Sequence, residues 1–334
     1  MSGVEQGAGV GVSCGLANAT ISVIVPTIGR PESLRRMLES LCLQTHGVTE
    51  VIIADGSSGS ATSEVAVDRH WHDAGLMVRR IVVNPPNAVR QRVAAIERAT
   101  SEYLLLLDDD VVLEPRCVES LLRTVLEDSS AVAAFADFNN QSWPMPTRAW
   151  RFYLRYALGM PDGSWQGRVV GPLLRFGYSP APQGSASLDW LGTCNSLVRR
   201  SAYEESGGFS DFFLHRCTMN EDVDLGLKLA RIGTILFSPS ARMGHFHAPG
   251  GRVSPGAAAE DDLYNRYLVM CRTMGRSRSE ALAQVLLFFV IETASNMLGA
   301  ACRLRSGGVV DRTRGRLRAL RRIVVVAADG GLTT

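Results

Sequence analysis

The stretch Tyr103-Leu-Leu-Leu-Leu-Asp108-Asp109-Asp110-Val-Val112 decides the fold. Four leucines run straight into three carboxylates, and apolar residues resume at once. An apolar run this short, bounded by polar residues, reads as a strand buried on both faces of a parallel sheet. Open α/β sheets bind ligands beyond the carboxyl ends of their strands. The strand therefore carries three negative charges to the ligand edge. Adjacent carboxylates repel one another, so the cluster is costly unless a cation neutralises it. Oxygen ligands suit Mg2+ or Mn2+, which bridge carboxylates to a substrate phosphate. The plain alternative is an acidic turn in water.

The residues before this strand repeat its pattern. Ile21–Val25 is a β-branched run that stops at Pro26-Thr27, and Pro31 then suits the first turn of a helix. Leu34, Met37, Leu38 and Leu41 follow at helical spacing within 32–43. Val51–Ala54 is a second buried strand ending at Asp55-Gly-Ser-Ser58, and Leu76–Val83 is a third. Val89–Ala99 is a helix carrying Arg90 and Arg92. This βαβαβ succession with short loops predicts an α/β fold with a doubly wound, mostly parallel sheet. Thr27, Arg30 and Asp55 fall at the carboxyl ends of neighbouring strands, although ordinary strand-end turn chemistry uses the same residues. Neither G-x-G-x-x-G nor a P-loop motif occurs, which excludes those dinucleotide and phosphate fingerprints.

Beyond the acidic stretch, a helix over 115–126 and a strand over 131–136 continue the pattern. Residues 139–187 are irregular and hold Trp143, Trp150 and Trp165, which suit either a small satellite core or a sugar-stacking face. Asp189–Arg199 reads as a strand returning to the sheet. Asn220-Glu221-Asp222-Val-Asp224 opens a helix to Ile232. Acidic residues in a first turn are stabilised by the helix dipole, yet the cluster exceeds what capping needs, so a general base is the functional reading. A strand at Thr234–Phe237 precedes His245 and His247, which share one side of an extended segment. A histidine shortly after an acidic cluster is a ligand candidate beside carboxylates.

Composition frames these motifs. The chain has 334 residues, 46% hydrophobic and 20% charged, ordinary for a globular protein with one large domain or two. The net charge of +2 hides an asymmetry. From residue 251 onward 13 Arg meet 7 Asp or Glu, so that segment is +6 and the rest −4. Seven scattered cysteines without a C-x-x-C pair point to a reducing compartment and away from a thiolate zinc site. Residues 1–19, rich in Gly, Ala and Ser, read as a disordered lead-in, and no basic-then-apolar export signal is seen there.

Taken together, these pieces resemble glycosyltransferase family 2, inverting enzymes of the GT-A fold. The resemblance rests on Ile21-Ser-Val-Ile-Val-Pro-Thr27 with Arg30, on Asp55-Gly-Ser-Ser58, Arg92 and Leu107-Asp-Asp-Asp110. It continues through Gly192, Asn195, Arg199-Arg200, Gly207-Gly-Phe209 and Glu221-Asp222-Val-Asp-Leu225 to a histidine after the next strand. It covers about residues 20–252. It implies a catalytic domain with a nucleotide-binding half (20–136) and an acceptor-binding half (137–252), then a helical, Arg-rich segment (253–334). The donor side falls to Pro26, Thr27, Arg30, Asp55, Arg92, Asp108 and Asp109. Asp110 is implied as the direct metal ligand with His245, His247 being the alternative, for Mg2+ or Mn2+. Asp222 matches the family's catalytic base, and Trp190, Asn195 and Glu221 lie on the acceptor side. Val93 and Ala95 depart from the Asn and Gly that the family often has after its arginine. The Gln-x-x-Arg-Trp element of processive members is absent.

The function implied is metal-dependent, inverting transfer from a UDP- or dTDP-sugar to an envelope glycan, a lipid-linked glycan or a secondary metabolite. The alternatives are a sugar nucleotidyltransferase or a non-catalytic sugar-nucleotide-binding scaffold. The first usually carries a Gly-rich loop after strand one, where Pro26-Thr-Ile-Gly-Arg30 has a single Gly. The apolar stretch 281–302 is interrupted by Glu292, so a buried or interfacial helix is expected rather than a spanning one. With the arginines after it, it suits an anionic cytoplasmic membrane face, or equally a hairpin packed on the catalytic domain or used for homo-oligomers. Nucleic acid is the poorer partner, since no recognised module accompanies the charge. The expected location is cytoplasmic, peripheral to the inner membrane face.

Overall fold

The computed structural model describes residues 15–215, 218–248, 253–301 and 308–328. The chain runs through β1 (Ile21–Thr27), α1 (Pro31–Cys42), β2 (Glu50–Asp55), two short helices α2 (Ala61–Ala66) and α3 (Arg69–Asp73), then β3 (Val78–Val82) and α4 (Ala88–Ile96). Next come β4 (Tyr103–Leu107), β5 (Val111–Leu113), α5 (Cys117–Glu127) and β6 (Ala131–Phe138). The irregular stretch carries α6 (Arg148–Phe152), a hairpin of β7 (Val169–Val170) and β8 (Leu174–Arg175), and β9 (Ala186–Leu188). Then follow β10 (Asn195–Arg199), α7 (Arg200–Glu205), α8 (Glu221–Leu229) and β11 (Thr234–His245). Three helices close the described chain: α9 (Pro255–Leu268), α10 (Arg278–Ala301) and α11 (Val309–Ala328).

The main sheet runs β3-β2-β1-β4-β10-β6-β11-β5, with β9 also on β11. Strands β1 to β4 are mutually parallel, whereas β10 enters antiparallel between β4 and β6. Successive side chains feed opposite cores: Val23, Val25, Leu105 and Leu107 one, Ile24, Leu104 and Leu106 the other. Both faces are covered, which is why these strands read as unbroken apolar runs. Leu34, Met37, Leu38 and Leu41 of α1 cover the first face. Val89 and Ala95 of α4 and Val223 and Leu225 of α8 cover the second.

Three expectations change. The strand predicted over 189–199 forms only at Asn195–Arg199. Asp189 instead accepts hydrogen bonds from the Val169 N–H and Arg168, and Gly192 packs so tightly that a Cβ would lie 2.4 Å from Asn195 Oδ1. The strand predicted at Thr234–Phe237 runs on to His245 past a register shift between Ser238 and Arg242. That shift lets its far end pair with β5, setting His245 opposite Val111. Of the lead-in, residues 1–14 lie outside the described residues, and 15–18 form a helical turn rather than disordered chain.

A third core joins the irregular stretch to the C-terminal helices. Trp150, Trp165 and Phe176 pack with Leu263, Tyr267, Val285, Phe288 and Ile323. Two of the three tryptophans thus build a satellite core, and Trp143 packs edge-on to Trp190 at 5.1 Å. Helices α9 and α11 cross backbone to backbone: a Cβ on Gly315 would lie 2.0 Å from the Gly256 carbonyl oxygen. Arg318 and Arg322 bind Glu260 of α9 at 2.7 and 3.1 Å. Much of the arginine stripe therefore faces the protein, while Leu317, Val324 and Val325 are exposed. Val290, Met297 and Leu298 are exposed on α10, a helix long and apolar enough by length and composition to cross a membrane.

Candidate active site

The carboxyl ends of β1 and β4, the start of α8 and the end of β11 converge on one edge. Asp108 to Asp110 leave β4 in three directions. Asp109 turns inward, 2% exposed, where Thr27 Oγ1 donates to it at 2.7 Å and Arg30 Nη1 at 3.1 Å. Burial pushes its carboxyl up to about 6 despite these partners. Its expected place as a donor contact is therefore corrected: it braces the loop after β1.

Asp110 Oδ2 accepts the Ala248 N–H at 2.8 Å. Its Oδ1 lies 3.1 Å from His245 Nε2, yet this buried oxygen has no hydrogen bond of good geometry. Burial favours the neutral acid here, but His245, the Ala248 N–H and Arg30 outweigh it and hold the group below the usual carboxylate range. Asp108 accepts from Arg92 Nη2 at 2.5 Å. Ligand atoms of Asp108, Asp110 and His245 all lie within 4.8 Å of one another. Two carboxylates and an imidazole form a donor set that fits Mn2+ and, through its oxygens, Mg2+. The orphaned Asp110 Oδ1 is the atom such an ion would satisfy. Asp108 thus joins the expected pair Asp110 and His245. His247 stacks on His245 at 4.2 Å between ring centres, with Nε2 turned to Gln141 at 3.3 Å.

A cleft of about 460 Å³ opens beside this cluster, lined among others by Ile28, Gly29, Ser57, Val83 and Pro86. Gly56 is required at its floor, because a Cβ there would lie 2.7 Å from Pro86. Asp55, expected at the nucleotide, is fully buried and holds the Ser57 N–H at 2.8 Å and Arg80 Nε at 2.9 Å. Its neighbours line the cleft in its place. Pro26 is buried opposite Ala54 in the sheet.

On the other side stand the first residues of α8. Buried Arg92 bridges Asp108 to Glu221, whose Oε1 is 3.6 Å from Nη1. Burial and the adjacent Asp222 carboxylate push Glu221 up to about 8, against the pull of Arg92. Thr193 Oγ1 donates to it at 3.2 Å. Both Asp222 oxygens accept from Arg175 Nη1 at 2.6 Å, and Oδ1 also takes the Val223 N–H at 2.8 Å. Arg175 lies over the Trp190 ring at 5.3 Å. Trp190 and Asn195 are 1% and 0% exposed, so neither presents an acceptor surface as expected. Trp190 donates to the Phe176 carbonyl and Asn195 to the Ala136 carbonyl, so they support the walls. Arg175 was not visible in the sequence, since β8 is two residues long inside an aperiodic stretch.

The chain matches the model of Glycosyl transferase family 2 over residues 22–206, more than half its length. It belongs to that family. As a family 2 glycosyltransferase, it is an enzyme of sugar transfer, and its sheet is the GT-A fold expected. It is 27% identical over 247 residues to a Mycobacterium tuberculosis protein named N-acetylglucosaminyl-diphospho-decaprenol L-rhamnosyltransferase, covering 68% of this chain and 76% of the relative. Among solved structures it resembles S. aureus TarS in complex with UDP-GlcNAc, with a TM-score of 0.54, 14% identity, and coverage of 92% and 83%. It also resembles GalNAc-T7 solved with UDP, GalNAc and Mn2+, with a TM-score of 0.55 and 16% identity. That match covers 75% of this chain and 47% of the other. At these identities the structural likeness speaks for the fold.

Proposed function

We propose that this glycosyltransferase moves a sugar, with inversion, from a nucleoside-diphosphate donor to a hydroxyl of a lipid-linked cell-envelope glycan. UDP- and dTDP-sugars are the donors expected. The observation that carries the reading is the Asp108, Asp110 and His245 cluster, set across the Arg92–Glu221 link from Asp222. The rhamnosyltransferase likeness favours a lipid-linked diphosphate acceptor over a secondary metabolite. Family membership argues against the nucleotidyltransferase and scaffold alternatives. The location proposed is the cytoplasmic face of the membrane, with α10 and α11 peripheral to it.

Asp108, Asp110 and His245 would hold the divalent cation, which when bound neutralises charge on the departing diphosphate. Asp222 takes the proton from the acceptor hydroxyl as its oxygen attacks the anomeric carbon from the face opposite the leaving group. Arg175 holds both Asp222 oxygens and aims the carboxylate, while burial and Asp222 push the Glu221 carboxyl up to about 8.

A panel of sugar nucleotides, with and without Mn2+, tests this by thermal shift and by transfer to a lipid-linked acceptor. At least one donor should stabilise the protein only when metal is present. Asp222→Asn should keep that stabilisation and lose roughly 10²- to 10⁴-fold in transfer. Equal loss of binding and transfer would remove Asp222 from the base role.

A further inference from the structure

A second cavity, of about 540 Å³, lies between the 144–150 segment, β8, α9, α10 and α11. Four arginines line it, Arg175, Arg266, Arg312 and Arg316, against two carboxylates, Asp262 and Glu292. We infer that this cavity binds the diphosphate of a lipid-linked acceptor, with the acceptor's first sugar extending from it toward Asp222. The inference rests on the proposed lipid-linked acceptor and specifies how it is held.

Arg316 is the residue that demands a ligand. It is 6% exposed, and among the described residues its Nε and Nη1 have no hydrogen-bond partner. Its Nη2 makes a loose contact with Glu292 at 3.7 Å. Glu292 is in turn held by Trp150 Nε1, which donates to it at 2.7 Å. A guanidinium carries five N–H donors in a planar fork, and burying them unmet is unfavourable. Two parallel N–H groups match the oxygens of a phosphate.

Asp262 in the wall is already paired. Both Asp262 oxygens accept from Arg266 Nε at 3.1 Å, and Oδ1 takes the Asn220 amide at 2.9 Å. Burial opposes ionisation of Asp262, but Arg266 outweighs it and keeps the group below the usual carboxylate range. Asp262 thus contributes little repulsion to an incoming anion.

Position links the cavity to the chemistry. Arg175 lines it and also holds Asp222, while Asn220 lines it two residues before that base. Arg175 thus stands between the cavity and the base, so a sugar bound in the cavity would reach Asp222 past this side chain. The close Gly256–Gly315 crossing seats Arg312 and Arg316 on the cavity wall. Met145, Trp150, Leu174 and Phe288 in the cavity wall offer the first isoprene units apolar contact.

Farnesyl diphosphate titrated by calorimetry into the full chain in EDTA tests the inference without any donor metal. Saturable binding is expected. Arg316→Gln, and independently the half-buried Arg312→Gln, should weaken it about tenfold each. Asp110→Asn should leave it intact, as should Arg314→Gln on the exposed side of α11. Farnesol should not bind, and inorganic diphosphate should bind more weakly than the farnesyl ester. Undiminished affinity in folded Arg316→Gln and Arg312→Gln proteins overturns the site. Loss in Asp110→Asn means that the ligand sits in the donor cleft and overturns it too. Equal affinity for inorganic diphosphate overturns the lipid-linked assignment. These outcomes do not depend on Mn2+-dependent donor stabilisation, so failure here is separable from failure of the glycosyltransfer reading.

Discussion

The cleft at the ends of β1 and β2 and the arginine-lined cavity beside Arg175 are built from different materials. The donor side is made of strand ends. Asp109 is met there by Thr27 and Arg30, and Asp55 by Ser57 and Arg80, while Asp110 keeps one oxygen without a hydrogen bond among the described residues. The cavity is made of helix faces from distant parts of the chain, and it leaves Arg316 incompletely matched. The difference teaches that Asp109 and Asp55, whose oxygens are met by neighbouring strand ends and loops, act as braces of the sheet edge. Asp109 and Asp55 look like ligands in sequence and are braces in the fold, whereas Asp110 Oδ1 and Arg316 carry the unmet valences.

Asp110→Asn is the largest break in that contrast. Removing the orphaned oxygen's charge should cost roughly 10²- to 10³-fold in transfer and weaken the response to Mn2+. A titration of activity against Mn2+ checks this, and an unchanged metal response would take Asp110 out of the metal set.

Gly315→Ala probes the cavity side alone. Its Cβ would meet the Gly256 carbonyl at 2.0 Å, so α11 must move off α9. Overpacking of this kind costs about 1–3 kcal/mol. Thermal unfolding should show a lowered midpoint, with Mn2+-dependent donor stabilisation retained. An unchanged midpoint would mean that the crossing is looser than described.

Glu221→Gln touches the seam between the two sites and shows its effect only as pH changes. Glu221 titrates near 8 in the folded protein against an ordinary 4.5. Between those values the folded state keeps a proton that the unfolded state has lost, so its contribution to stability is full below the lower value and falls as pH rises. The glutamine variant lacks this decline. Its melting midpoint relative to wild type should therefore climb from about pH 5 to about pH 8. A constant difference would mean that Glu221 is ionised throughout.

Several features were legible in the sequence because they depend on neighbours along the chain. Unbroken apolar runs such as Leu104–Leu107 follow from burial on both sheet faces, and the Leu34, Met37, Leu38 and Leu41 stripe follows from helical period. Family motifs then marked Asp108–Asp110, Glu221-Asp222 and His245 as one group. Sequence spacing carried no sign of which carboxylate turns inward, because three successive residues at a strand end differ only in the partners the fold brings to them.

By itself, then, the sequence determined a doubly wound sheet around β1 to β4 and β6 and carboxylates at its edge. Tertiary structure decided the rest. The register shift in β11 carried His245 to Asp110, and a two-residue strand brought Arg175 to Asp222. The Gly256–Gly315 crossing placed Arg316 by Glu292. Each is a contact between residues far apart in the chain, set by register and close packing, and neither leaves a period for the sequence to show.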